Sequence, residues 1–353
     1  MVELRSSTNV LGNLVCPRDH CPLEPTDSYL KCKNEHEYPV VDGIPVLLLR
    51  DEQQTIEIAE ASLAAAFRVA GGIPTEDPLF ASTLGISEDE KKGILAESSQ
   101  LSSEIDPVAR FMIGATNGIL YRHLIGKVTH YPIPALRLPP ARGLRLLDIG
   151  CNWGRWSVAA SRLGYRVVGI DPSLGAVLAA RRVSRQLGAP ADFVVGDARF
   201  LPFADDSFDT AFSYSVIQHF SKQDARLAVR EIGRVLRQGG ECLVQMPNRW
   251  GLRCFSHQLR RGFRAPVRFE VRYWSPDEML RTFSSRIGST CLSVDCFFGL
   301  GIQASDSHLM PLGRRCLIGI SEALRRLSLR LPRLTFLADS VYVASQKSRP
   351  MPP

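Results

Sequence analysis

The sequence predicts an α/β protein built on a doubly wound, mostly parallel sheet, with a small β-rich module at its N-terminus. Residues 141–247 alternate short apolar runs with amphipathic stretches. The runs are too short for helices and lack polar alternation, as strands buried on both faces require. Residues 1–50 instead close on a strand-like run, Ile44-Pro45-Val46-Leu47-Leu48-Leu49. Strand–helix alternation with right-handed crossovers gives a parallel sheet, and such sheets take ligands at the C-terminal ends of their strands.

The elements follow in order. Ile56 to Val69 is alanine-rich and suits a helix ended by Gly71-Gly72. Pro107 to Val128 is a second helical stretch, weakened by Gly114 and Gly118. Prolines 132, 134, 139 and 140 mark a stiff linker. Leu144–Ile149, Arg166–Ile170, Phe193–Val195, Phe208–Tyr214 and Glu241–Met246 read as five strands. Between them, Ala176–Leu187 and Lys222–Arg237 read as helices, the latter capped by Ser221 and ended by Gly239-Gly240. Ser275-Pro276-Asp277-Glu278 opens another helix with a capping box. In a last helix, Arg314 to Leu331, the apolar face Leu317, Ile320, Leu324, Leu327 and Leu331 is expected to pack on the sheet. The resulting division is a module over 1–50, a helical cover over 51–140, and an α/β domain over 141–347 with a basic insertion at 248–274.

Composition sets limits. The chain of 353 residues is 45% apolar and 22% charged, ordinary for a soluble domain with its own core. Met1 to Thr8 is polar and no apolar run is long enough to span a bilayer, so the reading is cytoplasmic. The net charge of +7 is uneven: seven arginines against Glu270 between Arg249 and Trp274, and six against Glu322 between Arg314 and Arg333. Six of the nine cysteines are scattered and read as free thiols; Cys16, Cys21 and Cys32 cluster.

Four blocks carry chemistry. In Leu146-Leu147-Asp148-Ile149-Gly150-Cys151-Asn152-Trp153-Gly154 a buried strand ends at an acid, and a glycine turn opens a helix. The G-x-x-x-G spacing is not the dinucleotide fingerprint, which argues against nicotinamide or flavin. Asp171-Pro172 ends the second strand, about 20 residues on, where a carboxylate suits two ribose hydroxyls. Asp197-Ala198 ends the third, placed to accept from an adenine amino group. Ser213-Tyr214-Ser215-Val216-Ile217-Gln218-His219 closes the fourth.

These blocks, in this order, resemble class I S-adenosylmethionine-dependent methyltransferases over residues 141–247. The resemblance implies a seven-stranded Rossmann-like sheet and S-adenosyl-L-methionine as cofactor. It places Asp148, Gly150, Cys151, Asn152 and Gly154 around the methionine part, Asp171 and Pro172 at the ribose, Asp197 and Ala198 at the adenine, and Ser215 beside them. Asn152 stands where the family usually carries glycine, and asparagine tolerates the left-handed conformation better than most residues. Methyl transfer needs alignment and dryness, plus a base when the nucleophile carries a proton. His219 is the candidate base, with packing or capping as its structural alternative. The helix holding Asn117, Tyr121 and Arg122 is expected to close over the cofactor.

The N-terminal segment, from Cys16-Pro17-Arg18-Asp19-His20-Cys21 to Tyr38-Pro39-Val40-Val41-Asp42-Gly43-Ile44-Pro45, resembles the zinc-ribbon-like domain of the methyltransferase-activator family. The resemblance implies zinc held by Cys16, Cys21, Cys32 and His36, although a metal-free module is the alternative. The insertion 248–274 mixes arginine with Trp250, Phe255, Phe263, Phe269, Tyr273 and Trp274, which suits an anionic or aromatic substrate, single-stranded RNA, or a solvated flap. A small-molecule acceptor is favoured over nucleic acid. The rival readings are an RNA or protein methyltransferase, and a cofactor-binding regulatory protein without turnover.

Overall fold

A computed structural model describes residues 13–98, 104–117, 119–299, 301 and 303–348. Met1 to Thr8, read above for a leader, lies outside the described residues. Strands β1 (Leu23–Pro25), β2 (Tyr29–Cys32) and β3 (Glu37–Val41) form an antiparallel meander. Strand β4 (Ile44–Leu47) pairs with β3 and then runs parallel to the edge of the large sheet. That sheet comprises β5 (Arg145–Ile149), β6 (Arg166–Asp171), β7 (Ala191–Gly196), β8 (Phe208–Ser213), β9 (Leu236–Pro247), β10 (Gly288–Cys296) and β11 (Ser340–Lys347).

The order across the described sheet is β1-β2-β3-β4-β7-β6-β5-β8-β9-β11-β10. Strands β5 to β9 are mutually parallel; β11 runs antiparallel to both neighbours. This is the expected doubly wound sheet of seven strands with a reversed strand near one edge. The order reverses between β5 and β8, and the strand ends there open the crevice in which such folds hold ligands.

The N-terminal module is continuous with the sheet. Val46 pairs with Val195 and Leu47 with Gly196. Val15 N donates to Pro202 O at 3.0 Å. One core cluster joins Leu14, Leu30 and Leu47 to Leu147, Ile149 and Phe203. Burying a side chain of this size contributes about 1.5–3 kcal/mol, so the junction is a substantial part of the core.

Helices cover both faces. Helix α1 (Glu57–Ala70) packs on the β4–β7 side through Ala59 and Ala66. Helices α2 (Glu88–Ser98) and α3 (Pro107–Asn117) lie beside α5 (Leu174–Gln186), while α4 (Arg155–Arg162) follows β5. Beyond β8 come α6 (Lys222–Val235), α7 (Leu252–Arg260), α8 (Pro276–Ser284) and α9 (Leu312–Ser328). Caps behave as their chemistry dictates: Ser173 and Ser221 accept from the backbone three residues on, and Ser275 with Glu278 forms the reciprocal box. No helix among the described residues is long and apolar enough to cross a membrane.

Three expectations need correcting. The helix from Lys222 ends at Val235, not Arg237: Leu236 is extended (φ −70, ψ 134) and pairs with Phe208, so β9 starts five residues early and turns at Gly239. The stretch from Pro107 breaks into α3 and a 3₁₀ segment, Ile119–Leu124, which folds back over Gly114; a Cβ there would meet Ile125 at 2.5 Å. In α9 the inward residues are Ile318 and Ser321, with Leu317 and Leu324 half-buried, whereas Ile320, Leu327 and Leu331 face solvent.

Candidate functional site

The ends of β5, β6, β7 and β8 surround a cavity of about 620 Å³. Gly150 makes the first turn. Its φ is +75, and a Cβ would meet Val216 at 2.1 Å, so the loop after β8 rests directly on the loop after β5. Asn152 occupies the left-handed region at φ +46. Its Oδ1 accepts from Trp153 N at 2.8 Å, which holds the turn. Asp171 fixes the same loop from the neighbouring strand: Oδ2 accepts from Asn152 N and Oδ1 from Ser173 N, each at 3.0 Å. Burial pushes the Asp171 carboxyl up to about 6, against those hydrogen bonds.

Gly150, Cys151, Asn152, Asp171, Pro172, Asp197, Ala198, Ser215 and His219 all line this one cavity. Asp148 and Gly154 are not among its lining residues. Asp148 is buried beneath the loop, accepts from Ser157 Oγ at 2.6 Å, and is pushed up to about 7 by burial, with the Asp171 charge adding. Gly154 opens α4 at φ +84, where a Cβ would press on Ala180 at 3.0 Å. Both shape the loop from below.

Asp197 carries a partner that sequence reasoning missed. Arg199 donates to its Oδ2 through Nη2 (2.7 Å) and Nε (3.0 Å), and also to Asp224 and Gln53 O. Ser215, at φ +63, accepts from Gln218 Nε2 at 2.7 Å.

Arg155 is the other omission. It lines the cavity yet is buried, and its Nη2 donates to Asp306 Oδ2 at 2.9 Å. Tyr121 donates to the same oxygen at 2.7 Å, so the predicted closing segment does reach the cavity wall. Arg122 is exposed, and the Asn117 side chain lies outside the described residues. The network continues through Gln303, Tyr214 and Asp295 to Ser340 and Gln245, which accepts from Ser215 N. A basic residue in a helix's first turn opposes the macrodipole, and that was the readable sign that Arg155 has a buried acidic partner.

The other end of the cavity is walled by the insertion: Arg253, His257 and Arg260 from α7, then Phe269 and Tyr273. His219 stacks on Phe269, centroids 3.8 Å apart and nearly parallel. Its Nδ1 donates to Phe269 O at 2.8 Å, since a carbonyl only accepts; Nε2 is therefore the unprotonated nitrogen, and Gln218 Nε2 stands 3.3 Å from it. Burial lowers the imidazole to about 4, so it is neutral across the physiological range.

In the N-terminal module Cys16, Asp19, Cys32 and His36 hold one ligand atom each within 4.8 Å of the others. Asp19 takes the place expected for Cys21. Cys16 N donates to Cys21 O, so the intervening turn tucks Asp19 inward, and the Cys21 Sγ accepts instead from Asn34 at 3.8 Å. His36 Nδ1 lies 3.4 Å from both Cys16 Sγ and Cys32 Sγ and 3.3 Å from Asp19 Oδ2.

The model of the family described as methyltransferase domain matches residues 147–244. The chain contains a class I S-adenosylmethionine-dependent methyltransferase domain. A ubiquinone biosynthesis O-methyltransferase of Azorhizobium caulinodans is 34% identical over 122 residues, 35% of this chain and 47% of that protein. The uncharacterized methyltransferase YcgJ of Bacillus subtilis is 39% identical over 101 residues, 28% and 39% of the two chains. The crystal structure of YcgJ aligns with 61% of this chain and 94% of its own at 22% identity and a TM-score of 0.39. The chain thus spans less than half the length of these curated relatives. The family model leaves out the N-terminal module and the insertion at 248–274.

Asn152 offers a direct check on this loop. Substituting Asn152→Val places a β-branched side chain in the left-handed region and is expected to destabilise by about 1–2 kcal/mol. Asn152→Gly should stay within about 1 kcal/mol of the parent, relief of strain offsetting the lost Asx hydrogen bond. Urea denaturation of both variants measures the difference.

Proposed function

We propose that this chain transfers a methyl group from S-adenosylmethionine to a small-molecule acceptor, anionic or aromatic in character. One observation carries the reading: residues from four separate strand ends, picked out by their motifs, line one cavity whose far wall is arginine, histidine and aromatic. The similarity to the Azorhizobium caulinodans O-methyltransferase supports a small acceptor.

The cofactor's sulfonium supplies an already activated methyl group. The protein's part is placement. Asp171 offers its carboxylate to the ribose hydroxyls, with Asn152 N and Ser173 N holding it in orientation. Asp197 and Ala198 edge the adenine position, the Asp197 carboxylate fixed by Arg199. Asp148, out of contact, ties the underside of the loop to α4 through Ser157. At the acceptor end His219 presents Nε2 as the base for an acceptor that carries a proton, and Phe269 keeps its ring in place.

Incubation with methyl-labelled S-adenosylmethionine and fractionated small-molecule extract should transfer label to one fraction. His219→Ala should keep cofactor affinity and lower turnover by about 10²–10⁴-fold. Asp171→Ala should lose cofactor affinity measured by calorimetry. Label appearing only in RNA or protein fractions, or cofactor bound with no transfer anywhere, would replace the reading with one of its rivals.

A pH dependence follows from Asp171. Donating hydroxyls favour its ionised form, and its carboxyl in the free protein titrates near 6. Affinity for S-adenosylhomocysteine should therefore be flat above that pH and about tenfold weaker at pH 5 than at pH 8. Asp171→Asn should bind more weakly and show no such slope.

The N-terminal cluster reads as a structural zinc site with Cys16, Asp19, Cys32 and His36 as ligands. Zinc–ligand bonds of roughly 2.0–2.3 Å in a tetrahedron require donors about 3.3–3.8 Å apart, which the three separations from His36 Nδ1 fit. Tyr38 OH, 3.1 Å from Cys16 Sγ, would orient that ligand from outside. Elemental analysis should find about one zinc per chain. Cys32→Ser should lose it and lower the melting temperature, whereas Cys21→Ser should retain it. Zinc-free protein that gains no stability on adding zinc would rule the site out.

A further inference from the structure

Two helices turn apolar side chains outward. On α7, Leu252, Phe255 and Leu259 are 52, 41 and 60% exposed and share one face. The other side of the helix contributes Cys254 and His257 to the cavity. On α9, Leu312, Ile320 and Leu327 are 77, 54 and 42% exposed, with Cys316 and Ala323 exposed on the same line. The helix packs inward through Ile318 and Ser321, so formation of the core does not account for this stripe.

The helices adjoin. Phe297 N donates to Ser321 Oγ of α9 at 2.9 Å, and Arg253 of α7 donates to Phe298 O at 2.7 Å. The chain leaving α9 returns to the start of α7, where Asn248 Nδ2 donates to Phe336 O and Ala338 O, each at 2.9 Å. Along that return Leu329, Phe336 and Leu337 are 72, 52 and 48% exposed.

Charge decides what covers this surface. The two segments hold seven arginines against one glutamate and six against one. Arg260, Arg268, Arg330 and Arg333 are exposed, with no carboxylate in salt-bridge reach among the described residues. A second copy of the same face would set arginine against arginine. A nucleic acid would match the charge and leave the leucine and isoleucine stripes in water. A bilayer surface of anionic phospholipid satisfies both, taking apolar side chains into the acyl boundary and guanidiniums onto phosphates.

We propose that α7, α9 and the return segment seat on an anionic phospholipid surface, which brings the cavity edge formed by α7 and Phe269 to the lipid interface. The binding stands apart from the methyl-transfer reading and is tested without cofactor. The protein should co-sediment with vesicles of phosphatidylcholine plus phosphatidylglycerol, and much less with phosphatidylcholine alone or at high salt. The pairs Leu252→Ser with Phe255→Ser, and Ile320→Ser with Leu327→Ser, should each weaken co-sedimentation about tenfold at an unchanged melting temperature. Failure to bind anionic vesicles, or binding that both pairs leave unchanged, overturns the proposal. So does a concentration-dependent dimer, or an oligoribonucleotide complex, that the same pairs abolish.

Discussion

The site is organised around one buried carboxylate. Asp171 accepts from Asn152 N and from Ser173 N, so the loops after β5 and β6 are fixed relative to each other before any ligand arrives. Everything nearby depends on that tie. Asn152 tolerates a left-handed backbone because its amide nitrogen has a buried acceptor and its own Oδ1 caps the next residue. Gly150 keeps no side chain because the β8 loop presses on it. Ser173, positioned by the same carboxylate, caps α5. The cost is a carboxyl held in a dry place, which is why it titrates near 6 and why a partner that donates to it is favoured.

The strand-end acids were legible because each ends a short apolar run, where a charged residue has no place in a core and must serve something at the sheet's edge. The sheet order was legible for the same reason: uninterrupted apolar runs and helical spacing leave few topologies. Pairings between distant positions were not. Arg155 and Asp306 are far apart in the chain, and no periodicity links them; only the fold brings α4 and the segment after β10 together. Asp19 was passed over because cysteine spacing drew attention to Cys21, whereas the backbone bond between Cys16 and Cys21 turns Asp19 inward. The end of α6 was misread since Gly239 looks like a helix stop. It is the turn of a strand that had already begun.

The face of α9 teaches a related lesson. Helical spacing of leucines says that a stripe exists, not which side of it is covered. Ile318, Ser321 and Ser328 lie inward and Ile320 and Leu327 outward, so the buried side mixes one large apolar residue with two serines. The inward serines are accounted for individually: Ser321 accepts from Phe297 N and Ser328 donates to Arg325 O. The serines let the helix lie close to β10 while Ile318 packs inward, and Ile320 and Leu327 are left to the outside.

The two ends of the cavity differ in a way that bears on the chemistry of the proposed transfer. The β5–β6 end is acidic and dry, suited to a cation. The flap end is basic, and its histidine is a weak base: a ring held neutral by burial down to about pH 4 accepts a proton poorly. Such a base can serve only an acceptor whose own proton is already loosened. Arg253 and Arg260 on the same wall would loosen it, since a nearby guanidinium favours the ionised form of an acidic hydroxyl. The proposed division of labour is therefore that arginines lower the acceptor's pKa, while His219 holds the departing proton's position through a fixed Nε2. A phenol or an acid fits that arrangement. An aliphatic alcohol does not, because its proton would be too strongly held for either effect to release.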